Sequence, residues 1–412
     1  MGGCGAIFRS RPDTIIRTAT HPSAMPFHDP PRLPQGFRCA ATRCGIKSDG
    51  RDLALFASDV PAAAAAVFTR NHVVGAPVAV GRGLIRGGRL QAVVINSGVA
   101  NVGTGEEGIV RARRMGAAAA AALGVPCEFV LMSSTGVIGI PLPTEKIEAA
   151  LPELVTALQD DPVDGARGIM TTDTHPKAVS RSVGDATVTV VAKGSGMIEP
   201  NMATMLAFAF TDAALEAPAL DRVLREVVDE TFNMLSIDTD TSTSDTCVLM
   251  ANGRAGAVPE PAFRSELLEA FTRMTEILAR DGEGATKLLR VTVTGADGER
   301  DARRVAKSLV NSPLIKTMVL GADPNVGRIL MAVGKCFACR IEPARIRASV
   351  CGLPVIEAGC RRAFDEAEAR RRLGGDPVNI DVDLGVGTAR TRAWGCDLSH
   401  GYVDENAAYY SS

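Results

Sequence analysis

The chain has 412 residues, of which 46% are hydrophobic and 22% charged, so it is long enough for two or more domains with sizeable cores. Its 45 Lys and Arg residues nearly balance its 47 Asp and Glu residues and only 4% of residues are aromatic, which excludes the basic, aromatic-rich surface of a nucleic-acid-binding protein. The apolar runs fall well short of the roughly 20 residues that span a bilayer, so a membrane protein is excluded too. The expected partners are small molecules.

The ten cysteines are too sparse in so long a chain for a disulfide framework, and they predict a cytoplasmic protein with reduced thiols. Cys336 and Cys339 have the spacing of metal ligands, but no second pair completes a four-ligand site. Buried small side chains are the favoured interpretation, and we predict neither a metal nor a cofactor. Residues 1–31 are rich in Arg, Pro, Ser and Thr, which predicts a disordered extension or a true start at Met25.

The first half of the chain predicts an alternation of strands and helices. In order, these are strands at 52–56, 63–68 and 91–95, a helix at 104–123, a strand at 128–132 and a helix at 144–158. Thr104 and Glu107 have the spacing of a capping box for the first helix. The small residues at 133–139 form a loop whose backbone N–H groups either face a ligand or belong to a plain turn, and spacing alone leaves both open.

The rest of the chain predicts a strand at 186–191, helices at 218–235 and 263–280, and a strand at 289–294. Shorter αβ units follow and predict a second, smaller α/β domain. The polar tail at 402–412 is by default a frayed end.

The hydroxyl-rich residues 237–246 superficially resemble a calcium loop. Thr243 and Leu249 stand where such a loop requires a Gly and a bidentate Glu, so the resemblance fails. Turns that cap neighbouring backbone groups are the favoured interpretation.

The stretch K-G-S-G-M-I-E-P-N-M-A-T-M-L-A-F-A-F at 193–210 carries the central hypothesis. Rossmann and P-loop patterns find no match, and none of the five histidines stands in the context of a Ser-His or Cys-His catalyst, which leaves Thr204 as the candidate nucleophile. A Thr hydroxyl needs a base, and cleavage of the Ala203–Thr204 bond would free an α-amine, with an ordinary pKa of about 7.7–8.0, on the same residue. Taken alone, Ala-Thr before an apolar run is more often the entrance to a strand.

Residues 193–206 resemble the self-processing motif of the ornithine acetyltransferases, also called glutamate N-acetyltransferases, of arginine biosynthesis. Other motifs of that family occur in its order from about residue 34 to the end: G-I-K at 45–47, N-S-G at 96–98, S-T-G-V-I-G at 134–139, M-T-T-D-T at 170–174, D-G-E-G-A-T-K at 281–287 and D-P-N at 323–325. Several ordered motifs are more specific than any one of them.

The resemblance implies a ping-pong acetyl transfer without a cofactor. Thr204 would take acetyl from N-acetylornithine and release ornithine, and the amine of glutamate would then attack the acetyl-Thr ester. The free Thr204 amine would act as general acid and base. Acetyl-CoA is a substrate of the bifunctional members, and the residues do not separate these from the others.

The resemblance also implies the site residues. Thr135 and Gly136 would hold the oxyanion, and the cleaved bond lies between Ala203 and Thr204. The substrate contacts carried over from the family are Thr171, Lys193, Thr204, Glu283, Asn406 and the tail hydroxyl Ser411. A cation such as Lys193 suits a carboxylate and an anion such as Glu283 suits an ammonium group, although both could be solvated loop charges.

The fold implied by the resemblance is α+β: a layered αββα sandwich of the self-processing N-terminal-Thr type with a second, smaller α/β domain. We expect the sandwich at 32–294, the smaller domain at 295–396, and a tail at 397–412 that contributes to the active site. The cleaved α and β fragments of two chains would assemble as α2β2.

Some positions depart from the family pattern, which usually has Asn, Gly, Trp and Thr where this chain has Val99, Thr239, Val326 and Ser411. The form of residues 236–246 resembles paralogues from clavulanic-acid-type clusters, which leaves the pathway open. Two other functions also stay open: an N-terminal-Thr amidohydrolase or aminopeptidase, in which water takes the acyl group, and an uncleaved binding protein that keeps the fold.

Overall fold

The computed structural model of the chain describes residues 27–199 and 205–408. Most of the predicted N-terminal extension, residues 1–26, lies outside the described residues, and so do Ala203, Thr204 and Ser411. In the described part, no helix combines the length and apolar character needed to cross a membrane.

The described residues form strands and helices in an α+β order. The strands are β1 (Phe37–Thr42), β2 (Leu53–Phe68), β3 (Arg89–Asn96), β4 (Val130–Ser134), β5 (Lys177–Val183), β6 (Ala186–Lys193), β7 (Leu206–Ala214), β8 (Thr246–Ala257), β9 (Leu288–Ala296), β10 (Arg347–Val350), β11 (Leu353–Glu357), β12 (Cys360–Arg361), β13 (Val378–Asp383) and β14 (Ala389–Cys396). The helices are α1 (Ala76–Leu84), α2 (Gly105–Leu123), α3 (Thr144–Thr156), α4 (Pro162–Ile169), α5 (Ala217–Glu230), α6 (Glu260–Arg280), α7 (Glu299–Val310), α8 (Pro313–Leu320), α9 (Gly327–Gly334), α10 (Glu366–Leu373) and α11 (His400–Ala408).

β2 is the long strand that joins the two halves of the larger sheet, whose order is β4-β3-β2-β8-β7-β6-β5 with β1 beside β2. Its first half pairs with β1 and β3, and its last part, from Ala63, pairs with β8. A register shift between Ala57 and Ala62 bends the strand. The prediction of two separate strands at 52–56 and 63–68 is therefore wrong, because the residues between them form a bend within one strand.

Side chains alternate across the larger sheet and define four layers. On one face, Val93 and Ile95 of β3 share a buried cluster with Phe208 and Phe210 of β7, so the two halves of the sheet pack face to face. The ring centroids of Phe56 and Phe210 are 5.0 Å apart in this layer. The other face of β3 packs against α2 and α3, and the other face of β7 packs against α5 and α6. The αββα sandwich is confirmed.

The smaller sheet has the order β12-β11-β10-β13-β9-β14, with β9 and β13 parallel. Val305 and Leu309 of α7 share a buried cluster with Val291 and Val293 of β9. This sheet begins with β9 at Leu288, a few residues before the predicted limit between 294 and 295. Because the cluster also includes residues of the larger sheet, the domain limits stay a prediction.

The predictions for the cap of α2 and for the C-terminal tail are corrected. α2 begins where the capping box predicts, but the Thr104 side chain does not cap it, since its hydroxyl donates to Asn101 Oδ1 at 2.9 Å instead. The tail is a helix rather than a frayed end as far as it is described. The Ser399 hydroxyl donates to the carbonyl oxygen of Gly284, which fixes the start of α11 against the loop after α6.

Candidate active site

A cavity of about 130 Å³ lies where several chain segments of the sandwich end. Its lining includes the predicted site residues Thr135, Gly136, Thr171, Lys193, Glu283 and Asn406. Met205 also lines it, and a peptide bond joins Met205 to Thr204, which lies with Ala203 and Ser411 outside the described residues. The fold thus brings together the predicted site residues that the structure describes, while their chemical roles stay predictions.

The loop that follows β4 is held against the end of β3 by backbone hydrogen bonds. The Thr135 N–H donates to the Asn96 carbonyl at 3.0 Å, and the Val137 N–H donates to the Gly98 carbonyl at 3.1 Å. Thr135 and Gly136 both face the cavity from this loop. Of the two interpretations left open by the sequence, a ligand-facing loop therefore fits better than a plain turn.

Gly136 has a backbone conformation that favours glycine. Its φ is 127°, and a Cβ atom built there would lie 2.2 Å from the carbonyl carbon of Gly98. Within residues 27–199 and 205–408, the Thr135 hydroxyl and the Gly136 N–H donate to no hydrogen-bond acceptor. Two free donors on one rigid cavity wall suit the stabilisation of a developing oxyanion.

Lys193 is the last residue of β6, and its Nζ donates to Thr171 Oγ1 at 3.0 Å. Burial lowers the pKa of Lys193, while the Asp173 carboxylate opposes this shift and the Lys177 cation adds to it. Lys193 is therefore not a solvated loop charge. An ammonium group bound to a neutral hydroxyl can take the carboxylate of a ligand as its charged partner.

Glu283 lies in the loop after α6 and is bound on two sides. Its Oε1 accepts from Thr172 Oγ1 at 2.8 Å, and its Oε2 accepts from Asn406 Nδ2 at 2.7 Å. Gly196 permits this arrangement, since a Cβ atom there would lie 2.1 Å from Oε2. Thr171 thus contacts the cation of the site, and Thr172 contacts its carboxylate. The contact of Thr172 with Glu283 was not predicted from the sequence.

A buried ion network underlies the cavity and was also not predicted. Lys177 Nζ lies 2.5 Å from Asp173 Oδ1 and 2.5 Å from Asp281 Oδ2, and the side chains of Lys177 and Asp173 are inaccessible to solvent. Burial alone would raise the pKa of Asp173, but the cations of Lys177 and Lys193 lower it. The one sequence signal for this network was the four-residue spacing of Asp173 and Lys177.

The network links the segments that carry the charged side chains of the cavity. Asp173 accepts from the Gly194 N–H at 2.7 Å and from the Thr171 N–H at 2.9 Å, so it fixes the backbone directly after Lys193 and the residue that the Lys193 ammonium group contacts. The carbonyl oxygen of Asp281 accepts from Ser195 Oγ at 2.6 Å. The segments that carry Lys193 and Glu283 are thereby held at a fixed separation.

The hydroxyl-rich loop before β8 holds the chain on the N-terminal side of residues 200–204. The Asp238 carboxylate accepts from the Met197 N–H at 2.6 Å and from the Ile198 N–H at 2.8 Å. The Glu199 N–H donates to the Asp240 carbonyl at 2.9 Å. The prediction that this loop caps neighbouring backbone groups is confirmed.

Asp245 is a cavity residue to which the sequence assigned no role. Its side chain is buried, with 1% of the residue exposed. Neither carboxyl oxygen takes part in a hydrogen bond within the described part of the chain. An unpaired buried carboxyl group is costly, so its presence on the cavity wall requires an explanation.

The described cysteines are free thiols. Burial raises the pKa of Cys339 to about 11, so this thiol is not a reactive thiolate. Among the described residues, no three His, Cys, Asp or Glu side chains are grouped as a metal site. Of the positions that depart from the family pattern, Val99 and Val326 are buried, and Thr239 has a φ of 71°.

Comparison with known proteins gives a consistent result across nearly the whole chain. The profile of the ArgJ family matches residues 38–411. An arginine biosynthesis bifunctional protein ArgJ from Rhodococcoides fascians is 45% identical over 379 residues, which cover 91% of this chain and 94% of that protein. The protein of the same name from Thermus thermophilus is 47% identical over 380 residues, which cover 92% and 99% of the two chains.

A third relative carries a different name. The glutamate N-acetyltransferase Oat2 of Streptomyces clavuligerus is 45% identical over 386 residues, which cover 92% of this chain and 98% of that protein. Overall identity therefore does not separate the two kinds of relative.

Proposed function

Because the chain belongs to the ArgJ family, we propose that the cavity is the active site at which it transfers an acetyl group from N-acetylornithine to glutamate in arginine biosynthesis. One observation carries this assignment of the site. A cation, a carboxylate and two hydrogen-bond donors that are free within the described residues converge on one cavity from separate chain segments. These are the groups that an acetylated diamino acid and its oxyanion require.

The proposed nucleophile is Thr204, made N-terminal by cleavage of the Ala203–Thr204 bond. Support comes from the next residue, since Met205 lines the cavity directly before β7. The free α-amine takes the proton of Thr204 Oγ as this oxygen attacks the acetyl carbonyl carbon. The carbon–nitrogen bond of the substrate then breaks, the amine returns the proton to the leaving nitrogen, and ornithine departs while acetyl remains on Oγ.

Thr135 and Gly136 are the proposed oxyanion donors. Both groups lie on the cavity wall, and neither the Thr135 hydroxyl nor the Gly136 N–H is used elsewhere in the described chain. A donor of this kind accounts for about 10²–10³-fold in kcat. The rigid loop holds both donors in place before substrate binds, so no reorganisation is needed during the reaction.

The proposed substrate contacts divide by charge. Lys193 binds the carboxylate of the amino acid, and the Thr171 hydroxyl that it contacts orients it. Glu283 binds the side-chain ammonium group of ornithine, with Asn406 holding one of its oxygens. Ser411 adds a hydroxyl from the tail, as the resemblance implies, and α11 brings the tail to the cavity.

In the second half-reaction, the amine of glutamate attacks the acetyl carbon on Thr204 Oγ. The Thr204 amine takes a proton from the attacking nitrogen and gives it to Oγ as N-acetylglutamate leaves. Use of acetyl-CoA as another acetyl donor is part of the proposal, and its support is the word bifunctional in the names of the relatives.

We further propose the cytoplasm as the location, a smaller domain over 295–396, and assembly of the cleaved fragments as α2β2. Free thiols at the described cysteines support the location. The alternative pathway of a secondary-metabolite paralogue stays a prediction.

Denaturing electrophoresis tests the cleavage. The unmutated protein is expected to run as two fragments of 203 and 209 residues, since 412 − 203 = 209, and Thr204→Ala as one band. A single full-length band for the unmutated protein would contradict the proposed nucleophile and favour a binding protein.

Product analysis tests the acetyl transfer. With N-acetylornithine, sustained ornithine release is expected only when glutamate is present, with an equal yield of N-acetylglutamate. Without glutamate, mass spectrometry should find one acetyl group on the C-terminal fragment. Sustained ornithine release that does not depend on glutamate would instead identify an amidohydrolase.

A further inference from the structure

The position of Asp245 points to a role in the self-cleavage that forms the active site, and not only in turnover of substrate. β7 and β8 run parallel, with Leu206 in register with Thr246. The residues directly before them, Met205 and Asp245, are therefore neighbours, and the Thr246 N–H donates to the Met205 carbonyl at 3.1 Å. The nitrogen of the bond to be cleaved belongs to Thr204, which the next peptide bond joins directly to Met205.

Both oxygens of Asp245 are available for proton transfer. Within the described residues neither oxygen has a hydrogen-bond partner, although the side chain is buried against the cavity. The Ser242 and Thr69 hydroxyls and the Met205 N–H are near enough to lower the pKa of this carboxyl group, but none of them meets the geometry of a hydrogen bond. A buried carboxyl group without fixed hydrogen-bond partners is suited to both donating and accepting a proton.

We propose that Asp245 shuttles the proton during self-cleavage of the Ala203–Thr204 bond. The inference rests on the proposed function, since it assumes cleavage at that bond. As Thr204 Oγ attacks the Ala203 carbonyl carbon, one oxygen of the neutral carboxyl group takes the Oγ proton and the other gives its proton to Thr204 N. The C–O bond forms, the C–N bond breaks, and Asp245 ends neutral. Water then hydrolyses the ester, which yields the Ala203 carboxylate and restores the Thr204 hydroxyl.

The electrostatics of the cavity agree with a neutral carboxyl group. Burial raises the pKa of Asp245 well above its ordinary value, although the Ser242 and Thr69 hydroxyls, the Lys193 cation and the Met205 N–H act in the opposite direction. Among the described residues that line the cavity, the other charged groups are Lys193 at the end of β6 and Glu283. Burial thus favours the acid form, which is the form needed to protonate the leaving nitrogen.

The test follows cleavage of freshly synthesised protein by pulse labelling and denaturing electrophoresis. Asp245→Asn is expected to slow cleavage by about 100-fold or more, in the range of general acid–base catalysis. Asp245→Glu should recover part of the rate, because it restores the carboxyl group. Asp240→Asn is the matched control: it makes the same chemical change on an exposed residue of the same loop, and its rate should stay within twofold of the unmutated rate.

Two further readouts separate a proton shuttle from a structural role. The cleavage rate of the unmutated protein should fall as pH rises through the raised pKa, because the acid form is lost, and Asp245→Asn should lack this decline. Thermal melting of the Asp245→Asn precursor should match that of the Thr204→Ala precursor, since both are uncleaved. A precursor of Asp245→Asn that neutral hydroxylamine splits into two fragments would show that the acyl shift proceeds without the carboxyl group, which overturns the proposal.

The outcomes distinguish this inference from the function on which it rests. If the unmutated protein is not cleaved, the proposed nucleophile fails, and this inference fails with it. If the unmutated protein is cleaved and Asp245→Asn is cleaved within threefold of its rate, only the role of Asp245 is overturned.

Discussion

Two walls of the cavity are built by different physical means. The oxyanion wall, Thr135 and Gly136, carries no charge and is positioned by backbone hydrogen bonds and a glycine. The ionic wall, Lys193 and Glu283, is positioned by hydroxyl contacts and by the buried network around Lys177. Substitutions in the two walls are therefore expected to fail in different ways. A substitution in the oxyanion wall displaces hydrogen-bond donors by a local steric clash and lowers kcat. A substitution beneath the ionic wall leaves buried charges unpaired and lowers the free energy of unfolding.

The largest expected effect is that of Lys177→Met. The change removes the cation shared by Asp173 and Asp281 and leaves two buried carboxylates without it. Breaking a buried pair in this way costs about 3–5 kcal/mol of stability. A lower urea midpoint and melting temperature should follow, together with weaker binding of N-acetylornithine because Lys193 loses its fixed position.

The control for Lys177→Met is Arg222→Met. This arginine pairs with Glu260 at 2.7 Å on the surface, where an ion pair contributes about 0–1 kcal/mol. Its urea midpoint should be close to that of the unmutated protein. Equal losses for the two variants would remove the distinction between the ionic wall and an ordinary surface.

Gly136→Ala is expected to have the next largest effect, on turnover. A Cβ atom at this position meets the backbone of Gly98, so the loop must move and its donors leave the site of the oxyanion. We expect kcat to fall by about 10²–10³-fold, the cost of losing an oxyanion donor. The urea midpoint should change less than in Lys177→Met, because no buried charge is exposed.

Gly139→Ala is the matched control for Gly136→Ala. Gly139 also has a positive φ, of 86°, but a Cβ atom there meets nothing within 4 Å. An alanine is therefore strained by a positive φ at both positions, while only Gly136 adds the clash with Gly98. If both variants lose the same fraction of kcat, strain in the loop rather than displacement of the oxyanion donors accounts for the loss.

The two walls also differ in how far the sequence predicts them. Thr135, Gly136, Lys193 and Glu283 lie in contiguous motifs, and resemblance of those motifs was sufficient to place them in one site. The layers of the sandwich followed from the same resemblance, because periodicity alone indicates strands and helices but not which faces meet.

What the sequence did not predict depends on contacts between distant residues. Lys177 and Asp281 form an ion pair although they are 104 residues apart in the sequence. The sequence shows only that both residues are charged, which does not predict that they meet. From the sequence, a contact was assigned only to Thr171, although the hydroxyls of Thr171 and Thr172 both take part in the site. The bend in β2 was missed because Ser58 and Asp59 between the two apolar runs are typical of a turn.

The smallest expected effect concerns Thr239, which belongs to neither wall. This residue is exposed and has a φ of 71°, a conformation that is unfavourable for a β-branched side chain and open to glycine. Thr239→Gly should relieve that strain and raise stability by about 1 kcal/mol, seen as a higher urea midpoint with kcat unchanged. The neighbouring exposed residue Asp240 has no positive φ, so Asp240→Gly should lower the midpoint instead. A fall in kcat for Thr239→Gly would mean that this strained turn helps to hold residues 197–199 for function, so that the site depends on a third structural element beside the two walls.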